Sequence, residues 1–363
     1  MSELSRTSAL ASRHTELGSG LEDWNGMGTA WSYHSNPNDE HDAIRETAGM
    51  FDMSPLKKVF VRGPDAHRVV DHVTTRDMTR IAPGMSTYGA ILTENGTVCD
   101  DAIIANNGNN EWMHCHGSGE SMERLQESAE GLDVDLELDD DWHNISVQGP
   151  KALEMLDAHT AFDLGSLVYF QHQTTELFGH ACRISRTGYS GERGYEIFVG
   201  ADAVGDVWDQ IAGLGVMPCS FASLDKVRIE AALLFFGYDM TAEHSPWEVG
   251  LGFTVHRDKG DFRGKPAVLE SESSPRFVAA GISSTREEAW AGGESLLLDG
   301  RSVGTLNSPC WSHRLNKSLA LVHLHPDAAQ PGTQLEVSGD DVSGTAMVES
   351  IPFYDPTKAH THA

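Results

Sequence analysis

A chain of 363 residues with 39% hydrophobic and 8% aromatic content has material for roughly two or three domains with real cores, which excludes a largely disordered protein. Its formal net charge of −28 repels DNA, RNA and anionic lipid, so nucleic-acid or membrane-surface binding is not expected as its main task. That charge also suits a salt-rich setting, and five scattered cysteines with no CxxC pair argue against a disulfide framework or a zinc site.

The opening MSELSRTSALASRHTEL lacks the apolar core of a signal peptide, and no run approaches the ~18 apolar residues of a membrane helix. A cytoplasmic protein is therefore expected. WSYH (Trp31 to His34) reads as a packed or capping segment, or else as an aromatic wall in which Trp31 and Tyr33 face a cationic ligand. VRGPDAHRVVDHV from Val61 and VQGPKALEMLDAH from Val147 echo each other: a strand end, Gly-Pro, then an amphipathic helix. The proline suits a first helical position, where its missing N–H has no partner to lose. The two helices turn Val69, Val70 and Val73, and Leu153, Met155 and Leu156, toward a core.

Between them, Ser86 to Cys115 reads as three strands, with hairpin turns at Asn95-Gly96 and Asn107-Gly108. HACRISRTGYSGERGYEIFV is a further hairpin. ADAVGDVWDQIAGLG is a helix with Val204, Val207, Trp208 and Ile211 on one face, and SLDKVRIEAALLFFG is another. From about Ser273 short strands alternate with Gly/Asp/Ser turns, the texture of a separate C-terminal β domain. The closing KAHTHA is expected to fray, its histidines belonging to a tail rather than to a metal. Strand–helix units among many strands give an α+β fold.

Glu196 lies within a strand, on the same face as Phe198. It pairs with a neighbour such as Arg193 or Arg186, or it aims two coplanar acceptor oxygens into a pocket. In the second case it matches an amide N–H beside an exocyclic amine, as on a pterin edge, with Tyr189 across the hairpin. Of Asp100 and Asp101, adjacent on a strand, one faces inward and can act as a general base or stabilise positive charge. The other reads as a solvated acid at a loop edge. His114 and His116 alternate on a strand without a carboxylate partner evident nearby, a thin metal site, and no metal is expected. GxGxxG after a strand, GxxxxGK[ST], GxSxG and HExxH are all absent.

AGMFDMS (Ala48 to Ser54), LTENGTVCDDAII, VQGPKA, SRTGYSGERGYEI, SPWEVGLGFTV (Ser245 to Val255) and DFRGKPAV (Asp261 to Val268) follow one another in an order that resembles the aminomethyltransferases. That family includes the glycine cleavage T protein and the tetrahydrofolate-dependent demethylases, such as dimethylsulfoniopropionate demethylase. The resemblance runs from about Asp39 to the C-terminus. It implies a three-part cloverleaf body, residues 1–272 with two interleaved α+β subdomains, closed by an antiparallel β-barrel over residues 273–363. It implies tetrahydrofolate as cofactor and one-carbon acceptor. Glu196 matches the residue that grips the pterin and Tyr189 the tyrosine beside it. Tyr88 and Ile103 match folate-lining positions, and Asp101 matches the catalytic aspartate.

The departures point to the donor. Ser223-Leu224-Asp225 stands where the glycine cleavage protein has Ala-Arg-Asp, and Leu224 reads as core. His116 replaces an asparagine in His114-Cys115-His116-Gly117, Phe236-Gly237 replaces a tyrosine-glycine pair, and Ser54-Pro55-Leu56 replaces Ser-His-Met. NGMGTAWSYHSNP replaces a Trp-x-Met-Pro segment, and Ser308-Pro309-Cys310-Trp311 replaces Ser-Pro-Thr-Leu. Pterin-facing residues are kept while donor-side motifs change. The expected activity is methyl transfer from a small methylated donor (a sulfonium, betaine or methoxy compound) to N5 of tetrahydrofolate, with Trp31, Tyr33, His116 and Trp311 as substrate-side candidates. One alternative is a glycine-cleavage aminomethyltransferase working on a lipoyl carrier protein, which the acidic surface disfavours if the carrier is also acidic. Another is a folate-binding factor without transfer activity, whose Lys-Gly-Cys-Tyr-x-Gly-Gln signature appears here only as Lys259-Gly260-Asp261-Phe262-Arg263-Gly264-Lys265.

Overall fold

The computed structural model describes residues 4–340 and 342–363. Two antiparallel sheets and a barrel carry the architecture. The five-stranded sheet runs Ser86–Leu92, Val98–Gly108, Glu111–His116, Lys57–Arg62, Asp135–Leu138. The six-stranded sheet runs His172–Leu177, His180–Ser185, Gly194–Gly200, Trp142–Gln148, Gly49–Asp52, Met217–Pro218, with only the last pair parallel. The strands Val278–Ser284, Ser295–Leu298, Arg301–Ser312, Lys317–Leu324, Gln334–Ser338 and Ser343–Glu349 close into an antiparallel barrel. Its interior is filled by small and branched side chains such as Ile282, Leu296, Val322 and Val348.

The two echoing segments do the same job in the two sheets. Helix Ala66–Val73 lays Val69, Val70 and Val73 on one face of the five-stranded sheet. Helix Ala152–Asp157 buries Leu156 fully and Leu153 and Met155 partly against the six-stranded sheet, beside helix Val204–Gly213. Pro64 and Pro150 sit in the turn before each helix rather than at its first position, after Gly63 and Gly149 at φ of 129° and 141°. A side chain at those glycines would collide with backbone, so the close approach sets the sharp entry.

With helices covering their outer faces, the sheets turn their other faces toward each other. Phe60, Ala105, Met113 and Cys115 of one meet Phe198 of the other in a shared apolar cluster. Helix Phe221–Glu230 bridges body and barrel, packing Ile229 on Cys310, Leu319 and Leu321.

Three further sequence expectations shift. The second hairpin turn is Asn109-Asn110, both at positive φ, while Gly108 closes a register shift two residues earlier. Asparagine tolerates the left-handed region almost as glycine does, so the NGNN run offered two registers. The helix begun at Phe221 stops at Glu230, because Ala232 takes φ 54° and the chain turns toward the barrel. The C-terminal segment is held: Ala359–His362 is a helical turn, Thr361 donates to the Gly191 carbonyl, and Arg186 and Arg193 donate to the Ala363 carbonyl oxygen.

Candidate active site

Glu196 points into the space between the sheets and is 8% exposed. Its strand Gly194–Gly200 lies between His180–Ser185 and Trp142–Gln148, so its backbone is bonded on both sides. Neither arginine pairs with it: Arg193 donates to the Tyr195 hydroxyl, and Arg186 to the Leu167 carbonyl. Instead Asn144 Nδ2 donates to Oε1 at 2.9 Å and the Thr187 hydroxyl donates to Oε2. A carboxylate has about four acceptor sites, so capacity remains on both oxygens. Beside it the Asn144 Oδ1 is buried without a partner. Two neighbouring acceptor groups thus await donors on one buried surface.

The hairpin loop that supplies Thr187 and Tyr189 is pinned by one side chain. Gln148 donates to Ser146 Oγ at 2.9 Å and to the Thr187 carbonyl at 3.2 Å, and accepts from Ser190 Oγ at 2.8 Å. Added Cβ atoms at Gly188 and Gly194 would lie 2.0 and 2.2 Å from that amide, which explains the glycine spacing of the motif. Thr187, Gly188, Gly191 and Gly194 line a crevice of about 60 Å³ with Tyr169, roofed in part by Tyr354 and Thr361.

Asp101 stands directly opposite Ala90, with Tyr88 opposite Ile103 on the same face. Burial, then the adjacent Asp100 carboxylate, pushes the Asp101 carboxyl up to about 7, and a Tyr88 hydrogen bond opposes this. Tyr88 is raised well above the usual phenol range by burial and by that same carboxylate, with Tyr189 also near. The Tyr189 hydroxyl is committed to the Leu234 carbonyl. Tyr88, Asp101, Ile103 and Tyr189 therefore gather on one side of the inter-sheet space. Ala105, which shares the face of Asp101, and Phe198, which shares that of Glu196, are members of one cluster.

Asp100 is not a loop-edge acid. It is fully buried on the opposite face, where it accepts from Ser121 N at 3.2 Å and pairs with His116 Nδ1 at 2.8 Å. Its carboxyl is lowered chiefly by His116 and Ser121, which outweigh desolvation. His116 is therefore turned away from Asp101, because the one-residue offset between the two aspartates selects opposite faces. His114 beside it is driven down to about 3 by burial, hence neutral.

The aromatic candidates are not assembled into one box. Trp31 packs on Phe221 in the cluster that holds Leu224 and Tyr189. Ala30 and Trp31 carbonyls cap helix Phe221–Glu230 by accepting from Phe221 and Ala222 N–H. Tyr33 gives its hydroxyl to a buried relay, bonding His14 Nδ1 at 2.8 Å while His14 Nε2 meets Asp52 at 2.9 Å. Trp311 sits half-buried in the barrel, opposite Ser318. A cationic aromatic cage needs rings converging within about 6 Å of one point, and these rings are spent on packing against Phe221, a relay and the barrel.

Sequence reasoning missed the contacts of Asn144 and Thr187 with Glu196. A signal existed in HNISVQ, where Asn144, Ser146 and Gln148 alternate with Ile145 and Val147. Alternation is ordinarily read as a wet face; here all five residues are buried.

Comparison with known proteins places this fold in a class of one-carbon transferases. Residues 10–259 match the GCVT N-terminal domain and residues 276–355 the glycine cleavage T-protein C-terminal barrel domain. The chain belongs to the glycine cleavage T-protein family, and as a member it is a one-carbon transferase. The family's enzymes use tetrahydrofolate. It is 43% identical to the heme-dependent oxidative N-demethylase gamma subunit of Ectopseudomonas mendocina, over 97% of both chains. It is 31% identical to the aminomethyltransferase of Herpetosiphon aurantiacus over 95% of this chain and 97% of that one. The glycine cleavage system aminomethyltransferase T from Bartonella henselae has the same fold, with a TM-score of 0.90 at 24% identity over 97% of this chain and 98% of that one. Among the described residues no helix is long and apolar enough to cross a membrane.

Proposed function

We propose that this protein moves the carbon of a small methylated amine to tetrahydrofolate, the carbon reaching it through oxidative N-demethylation on a separate heme-containing partner subunit. The observation that carries the reading is Asp101, a carboxyl poised near neutrality and bonded to Tyr88, on the wall that faces Glu196 and its acceptor neighbour Asn144. The 43% relative's description as the gamma subunit of an oxidative N-demethylase supports the donor class and the need for a partner. Altered donor-side motifs, with Leu224 buried in place of an arginine, fit a donor other than an aminomethyl-lipoyl arm.

The residues present fit a pterin edge. Its adjacent N–H and amino donors suit the open sites on Glu196 and the orphaned Asn144 Oδ1. Tetrahydrofolate, when bound, supplies the nucleophilic nitrogen for the incoming carbon. Glu196 and Asn144 fix its orientation, which is worth most when reacting atoms are held about 3–3.5 Å apart. Asp101 holds or passes a proton, a role that works best when the carboxyl titrates near the working pH. Displacement of water from between the facing sheets on binding would strengthen these contacts.

Tetrahydrofolate binding is to be followed by calorimetry, and transfer of labelled carbon from formaldehyde, above the uncatalysed rate, by mass spectrometry. Glu196→Gln is expected to weaken binding about tenfold. Asp101→Asn is expected to keep binding and slow transfer by about 100-fold or more. Absence of binding heat, or an Asp101→Asn rate equal to the parent's, overturns the reading. Relatives such as the Herpetosiphon aurantiacus aminomethyltransferase keep a second donor in view, an aminomethyl group on a lipoyl carrier. Turnover with such a carrier, and none with formaldehyde, would favour it.

A further inference from the structure

Helix Pro37–Glu46 meets the barrel at the end of strand Arg301–Ser312. Three ligating groups converge there: His41, Asp42 and His313, whose nearest nitrogen and oxygen atoms all lie within 4.8 Å of one another. His313 Nε2 is 2.9 Å and His41 Nδ1 3.8 Å from the same Asp42 oxygen, and the two imidazoles meet edge to face at 4.8 Å between centroids.

His41 is the informative member. It is fully buried, and its Nε2 lies 2.9 Å from Glu230 Oε2. Glu230 is also held by Arg45 at 2.8 Å and by the Ser312 hydroxyl at 2.6 Å, so it is anionic and accepts. The Nε2 of His41 then carries a hydrogen, and in the neutral ring the lone pair lies on Nδ1. That Nδ1 is buried and has no hydrogen-bond partner. Its nearest polar neighbour is a carboxylate oxygen, another acceptor. Two acceptors thus face each other 3.8 Å apart, the imidazole nitrogen buried and the carboxylate partly exposed, an arrangement that a cation between them would satisfy. A carboxylate behind a histidine, fixing its tautomer, is the usual support of a metal-bound imidazole.

We propose that His41 Nδ1, Asp42 and His313 Nε2 form a binding site for a divalent first-row transition ion, zinc foremost, clamping the body to the barrel. Two imidazoles and one carboxylate select such an ion over magnesium or calcium. Metal–ligand bonds of about 2.0–2.2 Å need ligand atoms about 3.4 Å apart in a tetrahedron, close to the spacings present. On binding, the His313 ring hydrogen resides on Nδ1 so that Nε2 offers its lone pair, and water completes the coordination. One cation opposes the ion. Arg314 donates to the same Asp42 oxygen at 2.8 Å and to Glu46 at 2.7 Å. Its side chain is partly exposed and can keep Glu46 while releasing Asp42. Arg45 and Lys226 also face this region, the first paired with Glu192 and Glu230, the second with Asn38.

The full-length protein, stripped with a chelator and dialysed, is titrated with cobalt(II) and zinc(II). One cobalt per chain with visible absorption of a low-coordinate site is expected, displaced by zinc, with a rise in thermal midpoint. His313→Ala, at a partly exposed position, should abolish binding while leaving the metal-free midpoint and circular dichroism near those of the parent. Arg314→Gln should tighten binding about tenfold or more by removing the competing charge. The proposal falls if no ion binds at stoichiometry, if binding survives His313→Ala, or if His360→Ala/His362→Ala in the tail abolishes it instead. It also falls if Arg314→Gln weakens binding.

Discussion

At the scale of single residues, Asp101, the group proposed to handle the proton, is kept at the expense of stability. Its carboxyl lies near 7 in the folded protein and near 3.8 when free. The folded state thus prefers the protonated form. Relative to the unfolded chain its contribution is most favourable below about pH 4 and is lost as pH rises toward 7. Above 7 the full cost of ionising a buried acid beside Asp100 is present. Asp101→Asn removes that cost. The variant should unfold at a higher urea concentration than the parent at pH 8, by about 1–3 kcal/mol, and the gain should vanish near pH 4. Equal stability of the two proteins at pH 8 would show that folding does not raise this carboxyl. Measured transfer in the parent should rise with pH through about 7, following ionisation of this group if it acts as the base.

Elements show why part of the design was readable and part was not. The strand–Gly-Pro–helix echo, the Asn95-Gly96 turn and the helix Val204–Gly213 are local signals, and the structure contains each of them. The helix end at Glu230 is decided by the barrel that the following residues must reach, a tertiary demand invisible to periodicity. In the same way the polar face of Trp142–Gln148 looks wet until a second sheet covers it. The roles proposed for Asp101 and Glu196 come from a family resemblance, whereas the Asn144 and Thr187 contacts to Glu196 needed the fold. The hairpin loop offers a direct test of the glycine argument. In Gly188→Ala the new methyl meets Gln148, whose amide is bonded at both ends and cannot swing aside cheaply. A loss of about 1–3 kcal/mol is expected. Gln148→Ala in the same chain should recover part of it, a coupling measurable in a double-mutant cycle. Independent, additive losses would mean that the loop does not depend on that contact.

Across the whole molecule, one buried ionic network ties helix Pro37–Glu46, the 185–194 loop, helix Phe221–Glu230 and the barrel. Glu230 is its hub, accepting from Arg45, from Ser312 and from His41 Nε2. Arg45 also reaches Glu192 at 2.9 Å and lies over the Tyr354 ring. These contacts more than offset desolvation and hold the Glu230 carboxyl near 2. Its stabilisation is therefore present in full above the unfolded value of about 4.5 and is lost as pH falls toward 2. In Glu230→Gln the arginine loses one of its two buried anionic partners, so about 3 kcal/mol should be lost at neutral pH. Because the variant has no carboxyl to protonate, the gap between parent and variant should narrow steadily below about pH 4.5. Urea midpoints at pH 7, 4 and 3 test this. A gap that stays constant with pH would locate the damage in packing around residue 230 rather than in its charge. If the network is what docks the barrel, barrel and body probes should separate into two transitions in the variant while remaining coincident in the parent.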